Sequence, residues 1–206
     1  MIESYENAFQ VIVLLVCVII AILWAIIYRN RTWIMLFYFF GAWLMGDAFW
    51  VMCLIFYGQV PQITFISDIS WLSAYIFLYL LLARAAPLEE GRRRYLLPWL
   101  GPVFTMCMAF FFMKYGTMIV GNLICGIMMG LLLYSSFRRL MERDRYRKQL
   151  FLIICIITFC ALEYGLWLAS CFWEGDTMAN PYYWFDIAIT LLFPFFLPAT
   201  KKAVVP

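Results

Sequence analysis

Seven long apolar stretches run along the chain, at 9–28, 33–57, 65–83, 96–113, 117–137, 149–173 and 183–200. Short segments holding most of the charge separate them. A helix rises about 1.5 Å per residue, so about 20 apolar residues cross the roughly 30 Å hydrocarbon core of a bilayer. The runs are continuous and do not alternate as barrel strands would. The pattern predicts an all-α polytopic membrane protein, with one seven-helix transmembrane domain over residues 1–206.

The connections set a direction. Arg29 and Arg31 lie in the first, Arg84 and Arg92–Arg94 in the third, and Arg138, Arg139, Arg143, Arg145, Arg147 and Lys148 in the fifth. Lys201 and Lys202 follow the last span. All fall on one side. The other side has Lys114 and the acids Glu3, Glu6, Glu174 and Asp176. Basic loops stay in the cytoplasm, so the expectation is an outside N-terminus, an inside C-terminus and a multi-pass plasma-membrane location. The first stretch lacks a preceding basic residue and a small-residue cleavage site, which argues against a removed signal peptide.

Composition narrows the chemistry. The chain is 67% apolar, well above the roughly 45–50% of soluble domains. It has no histidine, which excludes His-held metals and His-based nucleophilic catalysis. The seven cysteines all lie in apolar runs without a CxxC pair and read as small fillers. No phosphate-binding glycine loop is present. No metal, no cofactor and no nucleic-acid partner is expected; the net charge of +3 is a matter of topology.

Four carboxylates interrupt the spans: Asp47, Asp68, Glu163 and Asp186. Asp47 has no Lys, Arg or His within twelve residues on either side. Intramembrane acids face the bundle interior or a cavity and mark functional sites by default. Two carboxyls held close together cannot both ionise cheaply. The expectation is that Asp47 faces inward near Glu163, at the floor of a pocket opening outward. Trp50 follows Asp47 by three residues, Trp71 follows Asp68 by three, and Trp167 follows Glu163 by four. On a helix such pairs share a face. They suit a small amphipathic or cationic ligand through charge and cation–π contacts, or they lock helices together through indole N–H bonds.

The acids also hint at an internal repeat. Asp47 and Glu163 both lie fourteen residues into their spans, and Asp68 and Asp186 follow them by twenty-one and twenty-three. The loops "YGQVPQITF" and "EGDTMANPYY" each carry a Gly and a Pro. A 3+1+3 parallel repeat is expected, a plan some transporters use. Asn122, Thr105, Thr158, Ser70, Ser73 and Ser170 read as packing groups. Gly126 and Gly130 form a GxxxG for close helix contact. Pro194 and Pro198 should bend or end the last helix.

"GDAFW" and "ISDISWLSAYIFLYLLLA" resemble the seven-helix sensory regions that precede bacterial diguanylate cyclases and histidine kinases. The matching positions are Asp47 and Trp50, then Asp68, Trp71, Leu72 and Tyr75, with Asp186 and the terminal "LPA" as a second copy. No output domain follows, so this resemblance implies a separate signalling protein. The layout of "RTWIMLFYFFGAWLMGDAFW" is also similar to small seven-helix membrane-bound terpene cyclases, and lysoplasmalogenase-type hydrolases are a third, weaker match. Those resemblances imply acid catalysis by Asp47, Glu163 and Asp186.

The leading expectation is a non-enzymatic, receptor-like membrane protein embedded in lipid. Asp47, Trp50, Asp68, Trp71, Tyr75, Glu163, Trp167 and Asp186 would bind its ligand. A membrane-embedded acid-catalysed enzyme on a lipid or isoprenoid, and a small transporter, stay open beside it.

Overall fold

A computed structural model describes residues 2–59, 61, 64–88, 95–115, 119–173 and 175–204, with the side chains of 119, 120 and 122 outside that set. The expectations placed on Arg92–Arg94, Glu174 and Asn122 therefore fall outside the described residues. Those residues form seven α-helices and no strand: α1 Ile2–Tyr28, α2 Arg31–Tyr57, α3 Phe65–Ala85, α4 Leu100–Tyr115, α5 Ile119–Met141, α6 Leu150–Phe172 and α7 Pro181–Val204. A 3-10 turn, Leu97–Trp99, leads into α4. All seven are long and apolar enough to cross a membrane, the fourth when its leading 3-10 turn is included, over Leu97–Tyr115.

Local chemistry sets the helix ends. Asn30 caps α2, its side-chain oxygen accepting from the Thr32 N–H at 2.9 Å. Gly58 ends α2 in the left-handed region at φ 66° and donates its N–H to Leu54 at 3.1 Å. Asn180 accepts from the Tyr182 N–H at 3.0 Å across Pro181, the first residue of α7.

Three ends depart from the apolar pattern. The first helix begins at Ile2, not near residue 9, because its polar residues find a place inside the bundle. The fifth continues to Met141 because Arg139, 2% exposed, donates to the carbonyls of Ala86 at 2.6 Å and Ser135 at 2.8 Å. The seventh runs unbroken through Pro194 and Pro198 to Val204, so neither proline ends it. Packed neighbours in a membrane bundle tolerate the missing N–H groups.

Helices α1, α2, α3, α5, α6 and α7 close a ring in that order, with α7 back against α1. α4 packs outside it, on α5. α2 meets α7, and α3 meets both α6 and α7, across the middle. The centre is aromatic. Trp43 stands 5.3 Å from Phe159, 5.8 Å from Tyr75 and 5.5 Å from Phe193, mostly edge to face. Such pairs contribute about 0.5–1.5 kcal/mol each beyond burial. Outward faces carry bare aliphatics, as on α1 with Ile12, Ile19 and Ile26 exposed. Such exposed aliphatics along a spanning helix are what a lipid-facing side requires.

Candidate functional site

Four carboxyls gather at the end of the bundle opposite the arginines. Asp47 on α2, Glu163 on α6 and Asp186 on α7 are 2%, 3% and 6% exposed. The fourth is Glu6 on α1, 6% exposed. Asp47 interacts electrostatically with both Asp186 and Glu163, and Glu6 with Asp186 and Asp47. Asp47 thus faces the bundle interior beside Glu163.

Each acid has a different set of donors. The Trp71 indole N–H donates to Asp47 Oδ1 at 3.0 Å. The Tyr75 hydroxyl donates to Glu163 Oε2 at 2.8 Å. Gln10 Nε2 donates to Asp186 Oδ1 at 3.0 Å. Glu6 and Asp186 meet carboxyl to carboxyl as a hydrogen-bonded pair, and among the described residues Asp47 Oδ2 is buried without a partner. Buried polar atoms are rarely left so. Lys114 does not answer them: it is exposed at the end of α4, 5.1 Å from the Tyr115 ring.

The tryptophans pair with acids across helices and not along them. Trp71 serves Asp47 rather than Asp68, and Trp50 donates to Glu3 Oε1 at 3.1 Å. Side chains lean toward the N-terminal end of their helix and outward. An indole N–H therefore reaches the neighbouring helix more readily than its own. Gly46 makes the Trp71 contact fit, since a Cβ there would lie 2.6 Å from Trp71 Nε1. Trp167 packs against Tyr164 and Phe112 at 5.7 Å each, not against an acid.

Among the described residues Asp68 shares no hydrogen bond with the other acids, though Cys125 of α5 lies near both it and Glu163. Asp68 is half-buried at the start of α3, where it accepts from the Thr64 hydroxyl at 2.7 Å and donates its N–H to the Thr64 carbonyl at 2.9 Å.

Glu6 and Gln10 are the residues that apolar runs do not reveal. The signal lay in spacing: Glu6, Gln10, Leu14, Cys17 and Ala21 form one buried stripe along α1. The stripe continues helically past the point where its residues turn polar. The loop before α7 holds that end of α1, with Asp176 accepting from the N–H groups of Ile2 at 3.2 Å and Glu3 at 2.9 Å.

Among the described residues, open space is found at the other end of the bundle. An open groove of about 900 Å³ sits at the arginine-bearing end, lined among others by Asn30, Met35, Leu80, Arg84 and Val204. The acids, by contrast, are closed over by their neighbours. Among the described residues no three His, Cys, Asp or Glu side chains are gathered as a metal ion needs.

Fold and site together define a multi-pass, all-α membrane protein with a buried carboxyl cluster at one end of a six-helix ring. No family model matches the chain, and no curated protein or solved structure is significantly similar to it.

Proposed function

We propose that this is a receptor-like integral membrane protein of the plasma membrane that takes a small organic cation at the carboxyl cluster. One observation carries the proposal. Asp47 Oδ2 is buried without a hydrogen-bond partner, beside a Glu6–Asp186 carboxyl pair, in a site where no lysine or arginine pairs with an acid among the described residues. An ammonium group would supply both charge and donors, and the faces of Trp50 and Trp71, 6.0 Å apart, stand beside the cluster for cation–π contact. The likeness of Asp47, Trp50, Asp68, Trp71 and Tyr75 to sensory regions supports the receptor class. The basic loops support an outside N-terminus and a cytoplasmic face from which a separate signalling protein would read the ligand.

The test is a thermal melt of the purified protein with a panel of primary and quaternary ammonium compounds against sodium chloride at equal ionic strength. Ligand at 100 times its Kd should stabilise by about 2.7 kcal/mol. Asp47→Asn keeps an acceptor for Trp71 and should melt within about 1 kcal/mol of wild type, yet lose the ammonium shift. Equal shifts in wild type and variant, or none with any ammonium compound, would refute the proposal.

A second reading, a small transporter, is favoured by the ring. Replacing α1, α2 and α3 by α5, α6 and α7 maps every neighbour pair of the ring onto another. Trp43 and Phe159 each precede their acid by four residues, and Tyr75 and Phe193 each follow theirs by seven. All four meet at the centre. Flux of the bound ammonium compound into proteoliposomes separates the two readings.

A further inference from the structure

The groove at the arginine-bearing end is chemically the reverse of the carboxyl cluster. It lies between the start of α2, the end of α3 and the end of α7. Among the described residues no carboxylate lines it, and Arg84 does. Among the described residues Arg84 makes no ion pair or hydrogen bond, and it is exposed. Asn30 and Thr32 add polar groups beside it; the Asn30 oxygen is taken by the Thr32 N–H, which leaves the Asn30 NH2 as a donor. The rest of the wall is apolar, with Met35, Leu80 and Val204.

The walls are held in place from outside. Arg139 donates to Ala86 O at 2.6 Å and the Tyr146 hydroxyl to Pro87 O at 2.8 Å, fixing the end of α3. Gln149 Nε2 donates to Ala203 O at 3.3 Å, fixing the end of α7. All three donors come from the α5–α6 region, and two of them bond carbonyls of residues that themselves line the groove, Pro87 and Ala203. Arg139, buried and bonded to both the Ala86 and the Ser135 carbonyls, ties the end of α3 to α5 beside the groove. At about 900 Å³ the groove falls within the roughly 300–1,000 Å³ of ligand pockets.

The geometry points to a second binding site, for an amphipathic phosphate ester whose anionic head meets Arg84 and Asn30 and whose apolar body lies along Met35, Leu80 and Val204. The guanidinium is suited to the head, since its fork of N–H donors matches phosphate oxygens two at a time. The ester comes either from the bilayer, as an anionic phospholipid, or from solution, as a soluble short-chain ester.

Two experiments assign it. Wild-type protein in phosphatidylcholine nanodiscs is titrated calorimetrically with dihexanoyl phosphatidic acid, and protein from phosphatidylglycerol nanodiscs is examined by native mass spectrometry for retained lipid. Saturable binding of the short ester is expected. Arg84→Gln, at an exposed position that leaves the fold intact, should weaken it about tenfold or more. Ala83→Phe, which fills the groove, should abolish it, with circular dichroism confirming the helices, while Asp47→Asn should leave it unchanged. Retained phosphatidylglycerol that the short ester displaces assigns the lipid source, and binding without retained lipid assigns the soluble one. Unchanged affinity in Arg84→Gln, equal affinity for inorganic phosphate alone, or no saturable binding overturns the proposal.

Discussion

A single tryptophan indole decides how Asp47 is held. Trp71 reaches it from α3 across the bare backbone of Gly46, and a Cβ at Gly46 would lie 2.6 Å from the indole nitrogen. Gly46→Ala should therefore push the ring away and break the bond. The expected loss is about 1–3 kcal/mol, from overpacking together with an acceptor stripped of its donor. Ala otherwise favours a helix over Gly by about 1 kcal/mol, so the sign of the result is informative. A melt showing Gly46→Ala as stable as wild type would mean that Trp71 does not bind Asp47 this way. The acids were legible in the sequence because charge within an apolar run stands out. Their partners were not. Asp47 with Trp50 and Asp68 with Trp71 looked like pairs along a helix, and the bonds instead run from Trp50 to Glu3 and from Trp71 to Asp47. Which indole meets which carboxyl depends on helix rotation and offset, which one strand of sequence does not encode locally.

At the scale of elements, α1 is the part that hydropathy misplaced and the part that completes the cluster. Its apolar run begins at residue 9, but the helix begins at Ile2 and delivers Glu6 and Gln10 into the interior. Hydropathy averages a window and so ends a span where polarity rises. Whether the polar residues face water or a neighbour is settled by packing. Glu3 receives Trp50, Gln10 serves Asp186, and Asp176 receives the N–H groups of Ile2 and Glu3. A carboxylate at a helix N-terminus satisfies orphan donors and opposes the helix dipole. Asp176→Ala should thus fray the first turn of α1 while leaving the aromatic centre untouched. Hydrogen exchange should speed up at the amides of residues 2–6 and stay unchanged in α6. Uniform exchange in both proteins would show that the contact does not hold α1. The same fraying should quicken ammonium association if the ligand of the proposed receptor enters beside Glu6.

At the scale of the whole molecule, the number of spans and the segregation of charge were legible, because length and apolarity alone demand them. Ring order was not: nothing local tells α3 to neighbour α5 and leaves α4 outside. Direction in the membrane is open to a direct check. Cysteine replacing Thr177 should label from outside and cysteine replacing Asp144 only after permeabilisation; the reverse pattern would overturn the proposed orientation and with it the receptor reading.

The proposed repeat has a sharper consequence at the centre. Trp43 and Phe159 hold equivalent offsets from Asp47 and Glu163, and their rings meet at 5.3 Å and 78°. If a pseudo-twofold axis passes between them, each occupies the rotated counterpart of the other's environment: Tyr75 lies 5.8 Å from Trp43 and 6.0 Å from Phe159, and Phe193 lies 5.5 Å and 6.3 Å from them. Trp43→Phe leaves a void beside Phe159, and Phe159→Trp forces extra volume against Trp43. Each should destabilise by about 1–3 kcal/mol. The double variant exchanges the two rings across the axis and restores the total volume. It should recover most of the combined loss, with a coupling of about 1–3 kcal/mol between the sites. Strict additivity of the two losses in equilibrium unfolding would mean that the two environments are not equivalent, and the repeat would be an accident of four acids.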